Sequence, residues 1–224
     1  RWDSTQINLV ANTTSWRPPK VDRIEIKAVP EITTRLQGLI TGALDIAFDI
    51  GPDDRAIVES AGGHLNIRPT GRVQLLTFMS IGDSPVADVR VRQALNYAVN
   101  KQQIIDILLA GATEPSGQAA VKASFGYNPD VKAYPYDPDK ARALLAEAGY
   151  PDGFELAADM TPGAMAGDGA WYLQIARNLS DVGVRVTYQA SPFTVHIQKI
   201  RQGGWNGSAF GMDFNNLPSL DVLW

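Results

Sequence analysis

Two carboxylate pairs stand close enough in sequence to share a reaction, Asp45 with Asp49 and Asp53 with Asp54, and a further acid, Asp213, lies in the polar stretch "GMDFNN". Paired acids can serve as general acid and base. The first pair frames a strand-like run and the second opens a helix, so solvated or capping roles are the expectation for both. Ser116 in "GATEPSG" carries an oxygen suited to nucleophilic attack, but no GxSxG elbow surrounds it and neither His64 nor His196 is near it in sequence, so a serine triad finds no support. Both histidines lack HExxH-type neighbours and read as structural, His64 in a turn after "AGG" and His196 on a partly buried helix face. "GAMAGDG" (163–169) is rich in glycine yet lacks the Lys-Ser/Thr pair that grips phosphate and magnesium. "DPD" at 137–139 opens a helix and misses the spacing of a calcium loop. No cysteine is present, which removes disulfides, thiolate zinc sites and iron–sulfur clusters together. No cofactor and no metal are expected.

Aromatics offer another kind of chemistry. Tyr127, Tyr134, Tyr136, Trp171, Tyr172, Trp205 and Phe214 fall in loops and element ends of the second half. Such residues either fill a core or line a small-molecule cleft by stacking and edge hydrogen bonds. The charge balance is mildly acidic, net −4, with both signs interspersed. A nucleic-acid surface would be basic and clustered, so that partner is excluded. No apolar run reaches the length of a membrane span.

The elements that must position these groups follow from periodicity and punctuation. "STQINLV" (4–10) and "VDRIEIKAV" (21–29) alternate as strands, with Pro18 and Pro19 in the loop between them. "EITTRLQGLITGAL" reads as a helix, "DIAFDI" (45–50) as a buried strand and "PDDRAIVESAGG" as a short helix closed by glycines. "HLNIRPTGRVQLLTFMSI" gives two short strands around a Pro-Thr-Gly turn. From Asp83 the pattern changes to helices: "SPVADVRVRQALNYAVN", then "KQQIIDILLAGA". A long loop follows, "TEPSGQAAVKASFGYNPDVKAYPYDPD" (113–139), of the size that is uncommon without a functional reason. "DPDKARALLAEAG" is a helix with Asp137 as N-cap, Pro138 at its first position and Gly149 at its end. After it come strand "FELAADM", helix "GAWYLQIARNLSDVG", strand "VRVTYQA", helix "FTVHIQKIRQGG" and strand "WNGSAFGM". This alternation predicts an α/β unit with a parallel or mixed sheet. In such sheets ligands settle at the carboxyl ends of strands.

Four stretches in this order carry a resemblance. "ADVRVRQALNYAVNKQQIIDILLAGAT" and "GYNPDVKAYPYDPDKARALLAEAGYPDGFEL" are flanked upstream by "PPKVDRIEIKAVPEITTRLQGLITGALDIAFDI" and downstream by "IARNLSDVGVRVTYQ". Together they resemble the dipeptide/oligopeptide-type solute-binding proteins, family 5, of bacterial ABC importers. The resemblance covers essentially the whole chain. It implies an α/β, periplasmic-binding-protein-like fold (type II, cluster C) of two lobes, with 1–76 belonging to the first lobe and 77–224 to the second. It also implies that the chain is an excerpt of a longer protein.

By the same resemblance, the function is extracytoplasmic capture of a peptide or peptide-like solute between the lobes and its delivery to the membrane permease of an ABC transporter. The protein would be periplasmic, monomeric and not an enzyme, its partners being a small-molecule or peptide ligand and the permease. Dipeptide and oligopeptide binders of the family pair the ligand's α-ammonium with an aspartate shortly after a "GW" strand end. Here Met212 stands at the Trp, Asn215 at the acid, and Asp213 two residues earlier. The arginine that holds a peptide carboxylate in dipeptide binders has no counterpart in "MTPGAMAGDG". The expected ligand-facing residues are Phe78, Met79, Phe125, Tyr127, Met165, Met212, Asp213, Phe214 and Asn215, acting by hydrogen bonding and stacking. Arg90 and Arg92 are expected to pair with acids near the hinge. Two other readings stay open at this point: a hydrolase using the carboxylates near Asp213, and a ligand-sensing regulatory domain of the same fold.

Overall fold

A computed structural model describes residues 5–67, 70–162, 168–205 and 207–215, the last four of these as backbone only. The chain divides into two compact units, residues 1–50 with 56–64, and residues 51–55 with 65–224.

In the first unit, β1 (Gln6–Val10) pairs antiparallel with β2 (Arg23–Lys27), in a register that sets Gln6 opposite Lys27 and Val10 opposite Arg23. Two strands alone bury neither face, and Val10, Ile24 and Ile26 are exposed. Helix α1 runs Ile32–Ile40 and α2 Arg55–Ser60, the latter burying Val58. The expected strand at 45–50 does not form. Asp49 takes φ +57, which breaks an extended path, and Ile46 and Phe48 are 73% and 77% exposed. Nor do residues 64–67 join a ladder, so one strand, not two, surrounds the Pro-Thr-Gly turn.

The second unit is built on a four-stranded mixed sheet. Its strands are β3 (Arg72–Phe78), β4 (Phe154–Met160), β5 (Val184–Ala190) and β6 (Ala209–Asn215), ordered β3-β6-β4-β5. β4 runs parallel to β5 and to β6, while β3 closes the edge antiparallel to β6. α3 (Val89–Ala98), α4 (Lys101–Leu108) and α5 (Pro138–Glu147) precede the parallel part; α6 (Asp168–Ser180) connects β4 to β5 and α7 (Phe193–Gln202) connects β5 to β6.

Each of α3, α4 and α5 starts where a side chain accepts a first-turn N–H. Asp88 accepts from Arg90, Asn100 from Gln103 and Asp137 from Lys140, which relieves donors that the helix leaves unpaired. Small residues Ala94, Ala98 and Ala141 let α3 and α5 approach closely, and they share one buried cluster with Leu145, Leu156, Ala158, Leu179 and Val184. Leu156 and Ala158 of β4 therefore face α3, α5 and α6. The alternate residue Asp159 faces α7, whose Lys199 it pairs. Because β4 has β5 on one side and β6 on the other, right-handed connections place α6 and α7 on opposite faces.

Arg90 and Arg92 hold this scaffold differently from expectation. Arg90 pairs with its own N-cap Asp88 at 2.6 Å and donates to the Glu147 carbonyl at the end of α5 at 2.7 Å. Arg92 donates to the carbonyls of Val86 and Ala87, both at 2.9 Å. Orphan carbonyls, more than distant acids, are what these guanidiniums satisfy.

Candidate functional site

In an open α/β sheet the crevice opens where strand order reverses, outside the carboxyl ends of the two strands concerned. Here that point lies between β4 and β6. β4 ends at Met160 and β6 at Asn215, so the sheet's own geometry directs attention to residues around 160 and 212–215.

The end of β4 rests on an apolar floor of Met160, Trp171, Tyr172 and Ile104. Trp171 and Tyr172 lie ring to ring at 4.1 Å, and Tyr188 stands 5.4 Å from Tyr172 and donates its hydroxyl to the Tyr172 carbonyl at 2.9 Å. Burial, and then the neighbouring Tyr172, push the Tyr188 phenol far above its ordinary range, so it stays a hydrogen-bond donor. Gly211 is required by the same floor, since a Cβ there would sit 1.9 Å from the Tyr172 hydroxyl.

Two hydroxyls stand at strand ends. Thr161 follows Met160 and Ser191 follows Ala190; both side-chain oxygens are buried and have no hydrogen-bond partner among the described residues. The Ser191 N–H donates to the Met160 carbonyl at 2.9 Å, which ties the two ends together. Buried polar atoms of this sort are normally satisfied. Sequence reading missed both; the available signal was a hydroxyl residue immediately after each strand run.

On the opposite face His196 is buried, and its Nε2 lies 2.8 Å from the Gly211 carbonyl. A carbonyl only accepts, so Nε2 carries the hydrogen. The ring sits edge-on to Trp205 at 5.2 Å, and Trp205 stacks on Phe210 at 4.1 Å. His196 thus anchors the backbone of β6 one residue before Met212, a structural role as expected. His64 is exposed.

The nine expected ligand residues are scattered by the fold. Met212, Asp213, Phe214 and Asn215 continue β6, where the register sets them opposite Leu75, Gln74, Val73 and Arg72. Phe78 and Met79 belong to the other end of β3. Phe78 pairs with Ala209 at the start of β6 and packs on the central cluster, while the Met79 N–H donates to the Ser208 carbonyl. Six residue steps along β3 separate Arg72 from Phe78, about 20 Å at the usual rise. Phe125 is 74% exposed and Tyr127 half-buried, both in the irregular segment between α4 and α5. Met165 lies outside the described residues. Arg72 and Gln74 were not singled out from sequence; their alternation in "RVQLL" was the signal.

No group of three or more His, Cys, Asp or Glu able to bind a metal occurs among the described residues. The acid nearest the end of β4, Asp159, is fully buried and engaged with Lys199 at 2.5 Å. The family model for "Bacterial extracellular solute-binding proteins, family 5 Middle" matches residues 1–224.

This chain belongs to that family.

Among relatives of family 5 is heme-binding protein A of Haemophilus influenzae, 37% identical over 151 residues, 66% of this chain and 27% of that protein. The glutathione-binding protein GsiB of Escherichia coli is 36% identical over 141 residues, 62% of this chain and 27% of its own length. The chain thus spans about a quarter of the curated relatives it matches. The periplasmic binding protein DppA of Helicobacter pylori, in complex with peptide STSA, superposes with a TM-score of 0.81 at 21% identity, over 99% of this chain and 43% of that one. AgaA of A. tumefaciens R10, in complex with agropinic acid, gives 0.77 at 27% identity, over 96% and 44%. The fold is that of type II periplasmic binding proteins, in part. Family and fold are those of solute binders, not of enzymes.

Proposed function

We propose that the chain is part of the extracytoplasmic solute-binding component of an ABC importer. It captures a small peptide-like solute in the periplasm and presents it, as a monomer, to a membrane permease. In this reading the solute is held between two lobes, and the boundary expected at 76/77 moves ahead of β3, because Arg72–Phe78 pair with β6 in the second unit's sheet. The match of the family 5 model along the whole chain carries the functional class.

The solute contacts of the second unit gather at the carboxyl ends of β4 and β6. Thr161 and Ser191 offer hydroxyls there, and the strand end Met212–Asn215 is the other part of the proposed contact surface. Glutathione, peptides, haem and agropinic acid, named for the relatives, each carry carboxylates. The register that sets Arg72 opposite Asn215 and Gln74 opposite Asp213 supports a zwitterionic solute, with Arg72 for its carboxylate and Asp213 for its ammonium. Phe78, Met79, Phe125 and Tyr127 take secondary places, at the far edge of the sheet or on the loop.

Titration calorimetry of the full-length protein with glutathione, the peptide Ser-Thr-Ser-Ala and an opine tests this. Saturable binding of one of them is expected, about tenfold weaker in Asp213→Asn and in Arg72→Ala. Absence of binding to all three, together with turnover of any of them, overturns it.

A further inference from the structure

A second pocket lies away from the strand ends, where the first turn of α4 meets the segment leading into α5. Its volume is about 180 Å³, and Lys101, Gln102, Pro115, Tyr134, Pro135 and Tyr136 are among the residues that line it. We propose that this pocket binds a small carboxylate with a short apolar body, its carboxylate on the Lys101 ammonium and its body between the tyrosine and proline rings.

Charge comes first. Lys101 is half-buried, and among the described residues its Nζ makes one hydrogen bond, to the Asn96 carbonyl at 2.7 Å. An ammonium has three donors, so two remain. Among the described residues no carboxylate lines the pocket. The nearby acids are engaged elsewhere: Asp106 accepts from the Gln102 amide at 2.8 Å, Asp137 caps α5 through the Lys140 N–H at 2.9 Å, and Glu114 pairs with Lys122 at 2.6 Å. Withdrawing an ammonium from water without a counter-charge costs free energy that an arriving carboxylate returns. The cost is visible as a Lys101 pKa lowered to about 8 by burial. Partial positive charge at the amino end of α4 adds to the attraction.

Shape comes second. Tyr134 is fixed edge-on against Tyr97 at 5.0 Å and 84°, and Lys140 covers the Tyr97 ring at 4.3 Å. Tyr134 is therefore held in place before any ligand arrives, which lowers the ordering cost of binding. The volume falls below that of drug-sized sites, and it excludes a folded peptide while admitting a short-chain acid.

The test is a titration of the full chain with butyrate, followed by backbone amide shifts. Saturable shifts at Asn100–Gln102 and Tyr134–Tyr136 are expected, about tenfold weaker in affinity for Lys101→Met and for Lys101→Gln. Butyramide, which has the same body without charge, should leave them still. Equal shifts with butyramide or with chloride, retention of binding in both variants, or shifts centred on Met160 and Ser191 would each overturn the proposal.

Discussion

The Lys199 ammonium lies 2.5 Å from Oδ1 of Asp159, which is fully buried at the centre of the sheet while Lys199 keeps a small exposed fraction. This pair ties α7 to β4 two strands from the antiparallel edge. A buried ion pair need not stabilise a fold relative to apolar residues, but removal of one partner strands a charge. Lys199→Met should therefore lower unfolding free energy by about 3 kcal/mol. Lys199→Met with Asp159→Leu should recover most of that. Urea midpoints of the single and double variants decide it, and equal loss in both would show that the pair's charge is irrelevant.

Gly153 and Gly183 bring the starts of β4 and β5 together. A Cβ on Gly153 would lie 1.9 Å from the Gly183 carbonyl oxygen, and Gly153 has φ +77. Gly153→Ala thus combines a left-handed backbone cost, about 1–2 kcal/mol, with a clash against backbone that cannot rotate away. Gly183→Ala, with its nearest contact at 3.2 Å, should be milder. Thermal melts should rank the wild type above Gly183→Ala and Gly183→Ala above Gly153→Ala.

Local signals and long-range signals explain what the sequence made readable. The helix from Pro138 was legible because Asp137, Pro138 and Gly149 act within a few residues of themselves. β4 at 154–160 was legible because both flanks are punctuated by glycine or proline. Residues 45–50 have the same apolar look as β4 but turn at Asp49, and a strand needs a partner that no local pattern supplies. β6 was expected at 205–212 and runs 209–215, since Gly207 is pressed against the Ala157 carbonyl before pairing starts. The hydroxyls of Thr161 and Ser191 gain meaning only from the order β3-β6-β4-β5, which sequence alignment of strands along the chain does not reveal.

Gly211 sits where the floor of the strand-end site meets β6. Gly211→Ala should displace the Tyr172 ring, because its hydroxyl and Cζ lie 1.9 and 2.7 Å from the added carbon. Overpacking of this kind costs about 1–3 kcal/mol. Removing the hydroxyl in Gly211→Ala with Tyr172→Phe should restore part of the loss. A melting temperature that stays at the wild-type value in Gly211→Ala would contradict the packing described.

Lys101 gives a pH signature with a definite sign. Its pKa falls from 10.5 to about 8 on folding because burial disfavours the charged form. Between those values the unfolded chain holds a proton that the folded chain has released, so stability attributable to this group rises with pH across that window. Below it the folded state carries the whole penalty, and above it none. Partial exposure screens the effect, which leaves on the order of 2 kcal/mol. Lys101→Met lacks the titration and should be more stable than wild type near pH 7, in buffer free of organic acids. The gap should narrow toward pH 10, as the folded lysine has lost its proton while the unfolded one still holds most of its own. Urea unfolding of both proteins at the two pH values reads the difference directly and cancels the other lysines and tyrosines that titrate there. A gap that stays constant across the window would mean that Lys101 is as well solvated as a surface lysine.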